Sequence, residues 1–272
     1  MAIAVILTIF IFSITLLYSF SLAEPGNEKR KLHQWIFGRQ KKLLYKHFEY
    51  YRNLSESEKR EFLLRLNTII KSKQFIGRGD IFVTAQMKIL IAASITQLTF
   101  GFTKYLLPQY RTIFIYPDAY LNKQAQKLYK GETNTIGYIC FSWTHFMEGY
   151  LIGNDRKNLG LHECAHALLN TIIYSNLHDP ELDENLFALD RVPQEEKNRL
   201  FSGTDQFFRD YGRTNIKEFF AVAVECFFEA PERFKAEFPV FYGLMSHLLN
   251  QDPAGKIFSL STQDKKTTLL QA

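Results

Sequence analysis

His162 and His166 stand four positions apart, with Glu163 between them, in the stretch Leu161-His162-Glu163-Cys164-Ala165-His166-Ala167-Leu168. On a helix, positions i and i+4 share a face one turn apart. Both imidazoles can therefore aim at one ion, with zinc–nitrogen bonds of about 2.0–2.1 Å. Glu163 follows His162 by about 100° of turn, which puts its carboxylate beside the ion rather than on it. From there it can take a proton from a water on the ion, as His-Glu-x-x-His motifs do. The plain alternative is a buried helix that happens to carry two histidines. The chain has only seven histidines, and a Glu is rarely buried without a partner or a task, so the metal reading is the stronger. A catalytic zinc site expects three protein ligands and one open position. The downstream candidates are His178, His247 and the carboxylates. Glu218 stands out, because it opens an apolar helix and would face the core. A buried carboxylate is costly unless something pairs with it, although an acid in a first turn also suits the helix dipole.

The elements that must carry these groups follow from periodicity and punctuation. Apolar residues recur at helical spacing from 43 to 70, and Ser55-Glu56-Ser57-Glu58 reads as a capping box inside that run. Residues 75–79 read as a loop. Residues 84–100 read as a helix with Met87, Leu90, Ile91 and Ile95 as its buried stripe. The period then changes. Residues 112–116 and 137–143 are rich in β-branched and aromatic types and predict two strands. Residues 131–135 predict a turn before the second. The histidine helix is expected from about residue 156. Polar residues 175–210 predict a loop with short helices, and 215–229 a further helix carrying Glu218. Pro231 and Pro239 punctuate the chain after it, and a last helix is expected to end near residue 250. The fold class this predicts is α+β, mainly helical with a small sheet.

The 272 residues are 46% hydrophobic, with 25 Phe, enough for a sizeable core. The formal charge of +5 is local in origin. Lys29, Arg30, Lys31, Arg39, Lys41, Lys42 and Lys46 form a run without acids, and the remainder is net negative. Nucleic-acid binding would want a basic face on the folded body, so no nucleic-acid partner is expected. Residues 2–23 carry no charge, and a helix of that length can just cross a hydrocarbon core of about 30 Å. The basic cluster follows this run and favours an N-terminal transmembrane anchor with the body in the cytoplasm. Ser21-Leu22-Ala23 resembles a cleavage site, so export after signal-peptide removal is the rival. Cys140, Cys164 and Cys226 show no disulfide or metal spacing and suit a reducing compartment. Cys164 faces away from the two histidines. The expected organisation is an anchor at 1–23, a basic juxtamembrane linker at 24–44, a catalytic domain at 45–255 and a flexible tail at 256–272.

Several blocks in the same order give the run from 45 to 255 a resemblance to the zinc peptidases of the Mlc titration factor A family. They include Ile89-Leu90-Ile91-Ala92-Ala93-Ser94, Ile115-Tyr116-Pro117-Asp118-Ala119-Tyr120, the His162–His166 motif, Glu218-Phe219-Phe220-Ala221-Val222, Phe228-Glu229-Ala230-Pro231-Glu232 and Phe238-Pro239. That family is in turn similar to the catalytic domain of anthrax lethal factor, which Tyr211-Gly212-Arg213-Thr214-Asn215 echoes. The resemblance implies a zincin-like peptidase with Zn2+ as cofactor. It implies His162, His166 and Glu218 as metal ligands, Glu163 as general base, and Tyr211 as a catalytic tyrosine near the metal. Trp143 falls where such enzymes lay an extended peptide against an edge strand. The implied partners are a peptide or protein substrate and, since the family is named for sequestering a repressor, a regulatory protein. Leu169 stands where relatives carry Asp, which removes one expected bond to the site, and Val222 stands where the toxin has Glu.

Overall fold

The computed structural model describes residues 37–122, 125–151, 155–174, 192–201, 207–208 and 215–257. The chain divides into two compact units, Met1–Lys42 and Leu43–Ala272. The expected anchor, most of the expected linker and nearly all of the expected tail lie outside the described residues, as do His178 and Tyr211. Residues 37–47 are helical (α1), so the basic stretch has become helix by residue 37.

In the second unit, α2 (Glu49–Asn53) leads into α3 (Glu56–Ser72). The capping box forms as expected: Glu58 N–H donates to Ser55 Oγ, and Ser55 N–H donates to Glu58 Oε2 at 2.8 Å. Phe62, Leu63, Leu66 and Ile69 of α3 are buried at one-turn spacing. The next helix, α4 (Ala85–Thr99), starts at the Thr84 cap and is buried on all sides from Leu90 onward. It packs against α3 and against α6 (Leu159–Tyr174). Its polar residues are satisfied locally, with Ser94, Thr96 and Thr99 donating to carbonyls four residues back.

Four strands make one mixed sheet: β1 (Gln74–Gly77), β2 (Thr112–Tyr116), β5 (Gly131–Asn134) and β6 (Tyr138–Ser142), in the order β1-β2-β6-β5. β1 and β2 are parallel, as are β2 and β6, while β5 runs antiparallel to β6 with Thr133 opposite Ile139. A separate hairpin joins β3 (Tyr120–Asn122) to β4 (Lys127–Tyr129).

Four expectations need correction. The loop expected at 75–79 is largely strand β1, and the turn expected at 131–135 is the outer strand β5. Neither has strong strand composition; each is made by pairing with a neighbour. The second strand ends at Ser142, and Trp143 begins α5 (Trp143–Leu151), where it stacks on Phe146. Trp143 therefore belongs to the helix that follows β6, an interior strand; the edge strands of the sheet are β1 and β5. The histidine helix starts at Leu159, not near 156, because Arg156 has φ 59, outside the helical region. Asn158 caps it, accepting from Leu161 N–H at 3.0 Å.

After α7 (Gln194–Phe201) come α8 (Ile216–Glu229), α9 (Pro231–Glu237) and α10 (Pro239–Leu249). The phenylalanines gather here: Phe207, Phe208, Phe219, Phe234, Phe238 and Phe241 pack ring on ring. The aromatic cluster seats α8 against the following helices, and α8 packs along α6. Two helices from distant parts of the sequence are thus held side by side.

Candidate metal centre

α6 presents His162 and His166 on one face, and α8 brings Glu218 to them from its first turn. Asn215 caps that turn, its Oδ1 accepting from the N–H groups of Lys217 and Glu218 at 3.0 Å each. Lys217 Nζ donates to Asn170 Oδ1 at 3.2 Å, tying the start of α8 to α6. The three groups converge. His162 Nε2 lies 3.2 Å from His166 Nε2 and 3.2 Å from Glu218 Oε2, and His166 Nε2 lies 3.4 Å from Glu218 Oε1. Among the described residues this is the group of His, Cys, Asp or Glu side chains that could hold a metal ion.

The donor set fits an ion. Tetrahedral bonds of about 2.0–2.1 Å place neighbouring donors about 3.3–3.4 Å apart, close to the observed spacings. Glu218 Oε2 is also buried, and among the described residues it has only a poorly aligned approach to His162, at 3.2 Å. A buried carboxylate oxygen left that way is expensive, and an ion at the convergence point relieves it. His247, the other candidate ligand within the described residues, lies in the last turn of α10 and does not join the group.

Glu225, two turns along α8 from Glu218, was not expected from the sequence. It is almost fully buried, and its Oε1 lies 2.7 Å from His162 Nδ1. A carboxylate there accepts a hydrogen bond from Nδ1–H and leaves Nε2 facing the convergence point, which fixes ring orientation and tautomer. Glu225 Oε2 accepts from Asn158 N–H at 2.6 Å, and Asn158 Nδ2 donates to Glu229 Oε1 at 3.0 Å. Burial pushes Glu229 up to about 8, so it stays largely protonated at neutral pH and spares the network a second buried charge. Glu225 thus supplies from the opposite helix a carboxylate bond to the site of the kind that Leu169 cannot give. The signal in the sequence was the seven-residue spacing of Glu218 and Glu225 on an otherwise apolar helix, which puts both on one face.

Burial lowers the His162 pKa, but its bonds to Glu218 and Glu225 outweigh that and push it up to about 10. Burial raises Glu218, and its bonds to the two imidazoles outweigh that and bring it down to about 2. Without an ion, a proton on His162 therefore takes the ion's place between the groups.

Glu163 is buried beside this cluster. Burial raises its pKa, opposed by the nearby imidazoles and by a bond from Thr133. Thr133 Oγ1 lies 2.8 Å from Glu163 Oε2 and 2.8 Å from the Glu163 carbonyl oxygen. Cys164 points into the core and is fully buried, as expected, and Cys140, Cys164 and Cys226 are all unbridged.

An α+β domain whose paired helices converge two histidines and a glutamate, with a second glutamate buried alongside, defines a metallopeptidase-like protein. Residues 27–249 match the family of glucose-regulated metallo-peptidases M90, and the chain belongs to that family. It is similar to an uncharacterized protein of Synechocystis, slr2042, at 24% identity over 245 residues, covering 83% of this chain and 88% of that one. It is also similar to Mlc titration factor A of Edwardsiella ictaluri, at 24% identity over 229 residues and covering 75% and 85%. The Yersinia pestis protein of the same name is 24% identical over 225 residues, covering 75% and 82%.

Proposed function

We propose that the chain is a zinc peptidase with a zincin-like catalytic domain, holding its ion through His162, His166 and Glu218 and using Glu163 as general base. The observation that carries the reading is the convergence of those three donors with a buried glutamate next to them. Two imidazoles and one carboxylate suit zinc and leave a fourth position open. A bound zinc ion supplies Lewis-acid polarisation of a peptide carbonyl and makes a neighbouring water more acidic. Glu163 takes a proton from the attacking water and passes it to the leaving nitrogen. The Glu225 carboxylate holds the His162 ring in place throughout. Tyr211, assigned by the family resemblance, would offer its hydroxyl to the developing oxyanion. The outer side of β5, unpaired among the described residues, suits an extended peptide bound by main-chain hydrogen bonds. We assign the uncharged residues 2–23 to a membrane anchor.

The name Mlc titration factor A supports a second reading, in which the same surface binds a regulatory protein without cutting it. A peptide library incubated with the purified full chain separates the two. The wild type should cleave, and Glu163→Gln should keep its metal and lose the activity, since the amide is nearly the same size but accepts no proton at neutral pH. Equal cleavage by both proteins would remove Glu163 from the mechanism.

A further inference from the structure

β5 touches the candidate base through two residues. Gly131 and Thr133, at i and i+2, point to the same face of the strand, toward α6. Thr133 Oγ1 contacts the Glu163 carboxylate at 2.8 Å. A Cβ on Gly131 would stand 2.5 Å from Glu163 Oε1 and 2.8 Å from Glu163 Cγ, so only glycine leaves room for the side chain as it lies. Glu132, between them, points to the opposite face, where Asn122 Nδ2 donates to it at 2.9 Å and Tyr138 Oη at 3.3 Å.

We propose that Thr133 is a positioning residue for Glu163, setting the rotamer of its carboxylate from the outer strand while Gly131 provides the space it occupies. The proposal rests on the peptidase reading and adds to it a residue that touches neither the donor set nor the open position. The Thr133 hydroxyl has one proton to donate, and both acceptors within 2.8 Å, the carboxylate Oε2 and the main-chain carbonyl oxygen, belong to Glu163, so the hydroxyl ties that carboxylate to its own backbone. Glu163 carries three side-chain torsions in a pocket closed by a glycine. A single fixed contact at Oε2 selects one orientation, and a general base must sit within hydrogen-bond reach of the proton it takes. The strand that fixes the base is also the strand proposed to receive the substrate, so peptide and base are referenced to one backbone segment.

The test compares Thr133→Val, which keeps the shape and deletes the hydroxyl, with Thr133→Ser, which restores it. The metal-free full chain is crystallised in all three forms. Glu163 should leave its wild-type rotamer in Thr133→Val and keep it in Thr133→Ser; an unmoved carboxylate in Thr133→Val overturns the proposal. The zinc-loaded full chain is then assayed on a fluorogenic peptide drawn from the library. For Thr133→Val, kcat should fall by about 10²-fold, the scale of a roughly 1 Å misplacement. KM and zinc stoichiometry should stay near wild type, and Thr133→Ser should recover most of the rate. A wild-type kcat in Thr133→Val, or a loss lying in KM or zinc content, counts against positioning. If the wild type cleaves no peptide, the peptidase reading fails and the crystal comparison alone decides where Thr133 holds Glu163.

Discussion

His162 sits between two carboxylates, and that controls how it meets an ion. In the metal-free protein its pKa is pushed up to about 10 by Glu218 and Glu225 against the lowering effect of burial. The free-peptide value is 6.5. A raised value contributes stability that is complete below pH 6.5 and lost as pH rises through 10. A zinc-bound imidazole must be neutral at the coordinating nitrogen, so uptake at pH 8 has to expel a proton. Affinity should therefore climb with pH, by up to about tenfold per unit, until about pH 10. Calorimetry at pH 8 in buffers of different ionisation heat should give heats that differ by about one proton's worth; buffer-independent heats would refute the shared-proton picture. The donor set itself has a simpler check. His162→Ala and Glu218→Ala should each lose most of the metal, because one of three ligands is gone. Elemental analysis finding full zinc in either would mean the ligands are wrongly assigned.

At the level of elements, Glu225 shows what two packed helices add to a motif. Deleting its carboxylate by Glu225→Ala frees the His162 ring to turn and should weaken zinc affinity about 10-fold to 100-fold. Circular dichroism should still report a folded helical protein, and competition with a chelator measures the loss; unchanged affinity would relegate Glu225 to packing. The α6 and α8 helices, the Ser55 capping box and the Thr84 start were all legible in the sequence. Their signals are local: apolar periodicity, a cap residue and a motif at one-turn spacing. β1 and β5 were not legible. Each is four residues long, and Gly131-Glu132-Thr133-Asn134 has the composition of a turn. Only pairing with β6 makes it a strand, and nothing local encodes a partner in a sheet. The same limit hid the Thr133–Glu163 contact, which joins residues thirty positions apart. That His162, His166 and Glu218 lie together was expected from the one-turn spacing of the histidines and, for Glu218, with the help of the family resemblance, since spacing alone left the third position open.

For the whole molecule, the remaining question is where the catalytic unit resides. The chain divides between Lys42 and Leu43 into two compact units, and the helices of the described residues include none long and apolar enough to cross a membrane. Residues 2–23, uncharged throughout, are the segment proposed to cross one. An apolar run of that length exceeds the 7–15 residues of a signal peptide's apolar core. Lys29, Arg30 and Lys31 follow it, and carrying them outward would oppose the positive-inside bias. Three buried, unbridged cysteines suit a reducing compartment. Ser21-Leu22-Ala23 is the feature that favours the rival, since a signal peptidase accepts small residues at such a site. The expected outcome is a retained anchor with the catalytic unit on the cytoplasmic side. Two measurements decide it. Intact mass of the native protein should include residues 2–23, and protease added to intact cells should leave the catalytic unit whole. A mature chain beginning at Glu24, or a unit digested from outside, would replace the anchor with an exported enzyme. The geometry of His162, His166 and Glu218 would stand in either case, because it is built entirely within the second unit.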